Sequence, residues 1–454
     1  MLDILGDISS FVWGPPTLIL IVGTGLYLTF RLGFLQIRAL PYALKLAFSP
    51  KRQDKKSKGD ISHYQALTTA MAATIGTGNI VGVATAVVVG GPGAVFWMWI
   101  TALFGMATKY AEALLAVKYR TTDSKGQMSG GPMYYLERGM NAKWLGVLFA
   151  IFGAIAAFGI GNMVQSNSVS DALQSSFNIP TWVTGIVLTL LTGLVILGGI
   201  KSIGKVTAFF VPIMAAIYVI GGLIIMVMNL DLIPAAISLI FTDAFTGSAV
   251  GGGILGTVIR YGVARGVFSN EAGLGSAPIA AAAAKTDYPG RQALVSMTQV
   301  FIDTILVCSI TGITIVMADQ FSGGLDGAPL TSASFSAFLG ETGGYLVTIS
   351  IVFFAFSTLV GWSYYGEKCF GYLFKNDKAL SIYRIVFVLV VFYGAIELID
   401  VVWLMADIMN ALMAIPNLIG LLGLSGVVAY ETKKFMKIAK EEKEQEKSAK
   451  AKSA

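Results

Sequence analysis

Between residues 16 and 429 the sequence repeats one pattern, an apolar stretch long enough for a membrane followed by a polar loop. A helix needs about 20 apolar residues to cross the hydrocarbon core, where no water satisfies exposed peptide groups. Eleven stretches meet that need, near 16–36, 61–90, 94–118, 145–170, 181–200, 206–229, 251–284, 292–317, 345–366, 380–398 and 401–429. The tenth has the shortest purely apolar run, with Arg384 snorkelling at one end. Composition agrees: 55% of the 454 residues are hydrophobic and 13% charged, about half the ~25% of soluble domains, too little polar surface for a globule of this size. The expected fold class is an all-α membrane protein with eleven transmembrane helices.

Positive charge alternates from loop to loop. It falls on Lys45, Lys51, Arg52, Lys55, Lys56 and Lys58, then on Lys118, Arg120, Lys125, Arg138 and Lys143, then on Lys201 and Lys205, and then on Lys285 and Arg291. Lys368, Lys375, Lys378 and Arg384 follow, and the tail after Tyr430 is lysine-rich. The intervening loops 90–94, 171–182, 230–250, 318–344 and 397–400 have neither Lys nor Arg. Basic loops stay in the cytoplasm, so the pattern predicts a multi-pass cell-membrane protein with its N-terminus outside and its C-terminus inside. The opening MLDILGDISS carries Asp3 and Asp7 and no base, so the first stretch is expected to be retained rather than cleaved. The net charge of +6 is then topogenic, with attraction to anionic lipid, and implies no nucleic-acid partner.

His63 is the one histidine, which removes Ser-His-Asp catalysis, HExxH zinc chemistry and paired-histidine relays. The two cysteines, Cys308 and Cys369, read as apolar filler. An enzyme is not expected, and no cofactor is implied.

Two stretches look interrupted. The second has Thr74, Gly76, Thr77, Gly78 and Asn79 at its midpoint, and the seventh has Ser269, Asn270 and Glu271 among four glycines before Pro278. For one such stretch, close helix packing through Gly78-xxx-Gly82 is the plainer account. Two in corresponding places favour another. Each opens a set of five stretches, 61–229 and 251–429, and an odd number per set makes the second enter from the opposite side. That is the inverted repeat of secondary transporters, whose site lies at the midplane breaks. The organisation read here is 1–60, an extra helix and basic loop; 61–230, a first five-helix repeat; 231–250, an outer connection; 251–430, the inverted repeat; and 431–454, a basic tail. A half-helix starting at mid-membrane offers free N–H groups to a carboxylate. One that stops there offers carbonyls to an ammonium group or Na⁺, and Thr and Ser hydroxyls add hard oxygen ligands.

At Thr74-Ile75-Gly76-Thr77-Gly78-Asn79-Ile80 and in the seventh stretch the chain resembles the leucine-transporter (LeuT) class. Gly90-Gly91-Pro92-Gly93-Ala94-Val95-Phe96-Trp97-Met98-Trp99, Gly130-Gly131-Pro132-Met133-Tyr134-Tyr135 and Ser269–Pro278 are similar to signatures of the alanine or glycine:cation symporter family. The resemblance implies a LeuT-type 5+5 inverted repeat preceded by one extra helix, with alanine or glycine as solute and Na⁺ as coupling ion. It implies that Gly76, Thr77, Gly78 and Asn79 form the unwound segment, with the amides of Thr77 and Gly78 toward the substrate carboxylate. The carbonyls of Ala72 and Ile75 and the hydroxyls of Ser357 and Thr358 would hold sodium. Phe268 and Ser269 would mark the second break, with carbonyls near Phe268 holding the amino group, and Asn270 and Gly273 would lie beside it. Of the polar cluster Asn162, Gln165 and Ser166, Gln165 is the favoured substrate-facing residue.

Some charges have no place in that pattern. Glu271 reads either as a structural or gating partner of Arg260 or Arg265, or as a coupling residue, since a buried charge is usually paired. Lys109 and Glu112, one turn apart, read as a local ion pair. Asp303 and Asp407 read as a polar face toward the cavity, with proton binding as the other account. Proton coupling therefore stands beside sodium coupling. A channel is the remaining rival, because Thr74–Gly78 loosely resembles a potassium filter, but a filter needs about four copies around an axis and this chain has one.

Overall fold

The computed structural model describes residues 2–49, 57–123, 125–245, 254–397 and 400–453. Lys51, Arg52, Lys55 and Lys56 of the first basic loop, residues 246–253 of the outer connection and seventh stretch, and residues 398–399 lie outside the described residues. The chain is mostly helical. Among the described residues, eight helices are long and apolar enough to cross a membrane, or nine if the bent pair His63–Thr74 and Thr77–Gly90 counts as one. Two of the eleven expected stretches are not among them. One is the 16-residue helix Thr181–Ile196, and the other is split into Ile254–Asn270 and Pro278–Ala282.

The molecule is packed inside out relative to a soluble protein. Leu194 and Phe209 are 74% and 72% exposed, whereas Lys109, Glu112 and Asp303 are fully buried. Apolar side chains outward and charges inward are what a hydrocarbon solvent selects. Basic side chains of several loops gather at one end, apart from Arg260 and Arg265 in the half-helix Ile254–Asn270 and the buried Lys109. There Lys118 pairs with Glu431, Lys368 with Asp123, Lys125 with Asp377 and Arg291 with Glu442. The tail is a helix, Ser425–Ser453, docked at that end with Phe435 buried. The loops expected to be plain connections carry structure of their own: a two-stranded hairpin pairing Thr121 with Ser129, and helices Pro132–Met140, Ile233–Phe245 and Gly327–Leu339.

The two interruptions arise from local chemistry. His63–Thr74 begins with a capping box, in which Ser62 Oγ accepts from Gln65 N and Gln65 Oε1 accepts from Ser62 N. It stops at Ile75, Gly76 runs extended, and a single 3₁₀ turn at Thr77–Asn79 restarts the chain into Val81–Gly90, bent by 62°. Asn79 Oδ1 accepts from Gly76 N at 2.9 Å and stabilises that turn. The second interruption has left-handed residues at Glu271, Gly273 and Gly275, and Pro278 opens the next half at a position where its missing N–H costs nothing. Lys143–Phe177 is continuous but contains a π turn at Gly159–Met163.

Candidate functional site

The first break is held against the Glu341–Leu373 helix. Ser357 Oγ lies 3.1 Å from Ala72 O, 3.4 Å from Ile75 O and 2.8 Å from Phe354 O. Thr358 Oγ1 lies 3.1 Å from Ala72 O and 3.0 Å from Phe354 O. Two hydroxyl protons thus serve five oxygen contacts, so the lone pairs outnumber the hydrogens that could satisfy them. An uncharged all-oxygen set of two carbonyls and two hydroxyls suits an alkali cation. Ala72, Ile75, Ser357 and Thr358 are therefore brought together. A Cβ on Gly76 would lie 2.5 Å from Thr358 Oγ1, so only glycine lets the break pass this close.

On the other side of the break, Thr77 N approaches Gln165 Oε1 at 3.4 Å, while Gln165 Nε2 donates to Ile160 O within the π turn at 3.0 Å. Thr77 Oγ1 is buried without a hydrogen-bond partner. A hydroxyl without a partner in a dry interior is costly. Gly78 packs on the second interrupted segment, its Cβ position 3.1 Å from Phe268 Cδ1 and 3.2 Å from Ser269 Cα. Gly76, Thr77, Gly78, Gln165, Phe268 and Ser269 accordingly share one locus.

Asp303 joins the two interrupted segments. Its carboxylate accepts from Asn79 Nδ2 at 2.8 Å, Ser269 Oγ at 2.9 Å and Thr304 Oγ1 at 2.8 Å, all buried. Asn79 also passes its carbonyl to Thr311 Oγ1, and Ile80 passes its own to Thr331 Oγ1, which anchors the restart of the helix. Asp303 stands out in the sequence as the one charged residue in 292–317.

Several expectations are corrected. The helix Ile254–Asn270 runs through Phe268 and Ser269, so the second break begins at Glu271. Phe268 and Ser269 lie at the end of the first half of that segment, where carbonyls go unpaired within the helix. Asn270 is occupied by the protein, with Oδ1 accepting from Ala272 N and Nδ2 donating to Thr304. Gly273 has no group to spare: its N–H goes to Glu112 Oε1 at 3.0 Å and its carbonyl to Asn417 Nδ2 at 2.8 Å. Glu271 does not pair with Arg260 or Arg265. Ser276 Oγ donates to its carboxylate at 2.5 Å and Lys109 Nζ to its carbonyl at 2.9 Å. Glu271 lies beyond the helix end in a left-handed conformation, which turns it off the helix that carries both arginines, and Arg260 sits ten residues, about 15 Å, before that end. Arg265 instead stacks over the Phe268 ring at 5.6 Å. Lys109 and Glu112 do approach each other, at 3.8 Å, but Glu112 also caps Gly273 and Gly275 across 161 and 163 residues.

Broken helices that meet within a bundle of apolar spans define a LeuT-type fold. The solved structure of MhsT in complex with L-phenylalanine is similar over 83% of this chain and 93% of that one, with a TM-score of 0.59 and 15% identity. Sequence gives the finer placement. The profile of the Sodium:alanine symporter family matches residues 1–450, and the chain belongs to that family. It is 62% identical to the Sodium/alanine symporter AgcS of Methanococcus maripaludis, over 92% of this chain and 93% of that protein. An uncharacterized transporter of Haemophilus influenzae is 54% identical over 92% of each chain.

Proposed function

We propose that this protein carries a small neutral amino acid, alanine or glycine, into the cell together with Na⁺ by alternating access. The observation that carries the proposal is the oxygen set at the first break, where the carbonyls of Ala72 and Ile75 meet the hydroxyls of Ser357 and Thr358. Family membership and the name of the Methanococcus maripaludis relative support the same solute and ion. In this reading the substrate carboxylate binds the amides of Thr77 and Gly78 at Gly76–Asn79, and its ammonium binds the carbonyls of Phe268 and Ser269. Gln165 lies alongside. The Phe268 ring against Gly78 favours a small side chain.

The topology proposed with it counts Thr181–Ile196 and the split pair Ile254–Asn270 and Pro278–Ala282 as crossings, giving eleven helices as one extra plus a 5+5 inverted repeat with halves 61–230 and 251–430. The gathering of basic side chains at one end supports a cytoplasmic assignment for that end and for the tail, facing anionic lipid, with the N-terminus outside. Uptake of radiolabelled alanine into proteoliposomes tests the function. An inward Na⁺ gradient should drive saturable accumulation that unlabelled glycine competes with. Accumulation under a proton gradient without Na⁺ would instead make it a proton-coupled carrier, and ion flux without solute would make it a channel.

A further inference from the structure

At the basic end, both interrupted segments finish on the same piece of backbone pairing. Asp60 N and Ile61 N donate to Ala283 O at 2.8 and 3.2 Å, and Lys285 N donates to Ile61 O at 2.7 Å. This ties the chain just before His63–Thr74 to the chain just after Pro278–Ala282. Gly59, at φ +155°, makes the approach possible: a Cβ there would lie 2.4 Å from Lys285 N.

Arg120, two residues beyond the Gly93–Lys118 helix, spans the junction. Its Nη1 donates to Ala282 O at 3.0 Å and Ala284 O at 2.7 Å, and its Nη2 donates to Lys58 O at 2.8 Å. The alanine carbonyls belong to a helix end, where unpaired C=O groups favour a cation. The planar fork of a guanidinium reaches carbonyls on both strands at once, which the point charge of a lysine does not.

We propose that Arg120 is the latch of the gate at this end: it pins the two half-helices that close the site, and it releases one set of carbonyls each time solute leaves that way. The inference rests on the reading that the site lies between the two breaks. Each half-helix joins the rest of its segment through a break, at Ile75–Gly76 on one side and at Glu271–Gly275 on the other. A hinge at one end and a clasp at the other is the arrangement of a hinged closure. Hydrogen bonds from a guanidinium to carbonyls are strong when dry and exchange readily for water once the junction opens, so the clasp is reversible.

Cys308 is a built-in reporter, its Sγ 3.3 Å from both Asn79 Nδ2 and Ser269 Oγ. In a Cys369→Ala background, the rate of Cys308 modification by a charged, membrane-impermeant methanethiosulfonate is measured on right-side-out and inside-out vesicles. Arg120→Gln should raise the rate about 10-fold from one face only, and Arg120→Lys, which keeps the charge but not the fork, should raise it about 3-fold from the same face. Unchanged rates from both faces, or an equal rise from both, would overturn the latch. If Arg120→Gln fails to fold, Arg120→Lys decides alone by the same outcomes. Alanine slowing Cys308 modification in the unsubstituted Arg120 protein tests the site itself. Protection by alanine with unchanged rates in the Arg120 variants would therefore sink the latch and leave the site standing.

Discussion

The two breaks differ in who satisfies their backbone. At Glu271–Ala277 the protein does so itself: Glu112 caps the amides of Gly273 and Gly275, Asn417 reads the Gly273 carbonyl, and Lys109 takes that of Glu271. At Ile75–Asn79 the satisfaction is partial. The carbonyls of Ala72 and Ile75 share hydroxyl protons, Thr77 N–H has a long contact at 3.4 Å, and Thr77 Oγ1 has no partner. Both interrupt a helix in a dry interior, where an unpaired peptide group costs several kcal/mol or so. A break that fills its own valences takes up no ligand, and one that leaves them open is prepared for something that arrives from outside.

Substitutions can break or sharpen that contrast. The largest effect is expected at the self-satisfied break. Glu112→Ala strands two buried amides and takes from Lys109 its neighbouring carboxylate, and should cost about 3–5 kcal/mol of stability, read as loss of folded protein in thermal unfolding in detergent. At the open break the expected loss is of function instead. Thr358→Ala removes one of four cation oxygens and should raise the Na⁺ concentration for half-maximal uptake by about 10- to 100-fold, with the unfolding temperature nearly unchanged. Asn79→Ala loses the bond to Gly76 N and one donor to Asp303, and should lower alanine uptake about 10-fold while the protein still folds. Smallest is Asn270→Ser: because this side chain serves only its own chain end and Thr304, solute affinity should move by less than about 3-fold. A Thr358→Ala protein that unfolds, or a Glu112→Ala protein that folds normally but ignores sodium, would reverse the assignment of the two breaks.

What the sequence disclosed, and what it withheld, follows from the range of each interaction. The apolar stretches and the first break were legible because both are local: Gly76 and Gly78 weaken helix where they stand, and Asn79 bonds back three residues. Ser357 and Thr358 sit in an uninterrupted helix with nothing nearby to mark them, so only the family resemblance singled them out. The residue pattern alone puts the second break among Ser269, Asn270 and Glu271, and the resemblance puts it two to three residues early, at Phe268–Ser269, whereas Asn270 closes the final turn and Glu271 takes the left-handed position. The partners of Glu271 were misjudged for a related reason. Lys109 is 162 residues away in the chain, and only packing of Gly93–Lys118 on the second segment brings it there. Helices such as Ile233–Phe245 and Gly327–Leu339 are too short and too polar at their ends to stand out among full crossings.

The π turn at Gly159–Met163 carries an implication for how this chain tolerates change. It accommodates one residue more than a regular helix would, and Ile160 turns its carbonyl to the Gln165 amide as a result. Deleting a single residue from the widened turn itself would restore an ordinary spiral with Val164 to Phe177 still in phase, whereas deleting one from the regular turns after it would rotate everything beyond the deletion by about 100°. The first change takes from Gln165 the Ile160 carbonyl that its amide bonds, and the second takes Ser176 off its hydroxyl contact with Thr348 on a neighbouring span. The extra residue is therefore a local adjustment that aims one carbonyl, whereas a one-codon loss beyond it rephases the rest of the helix.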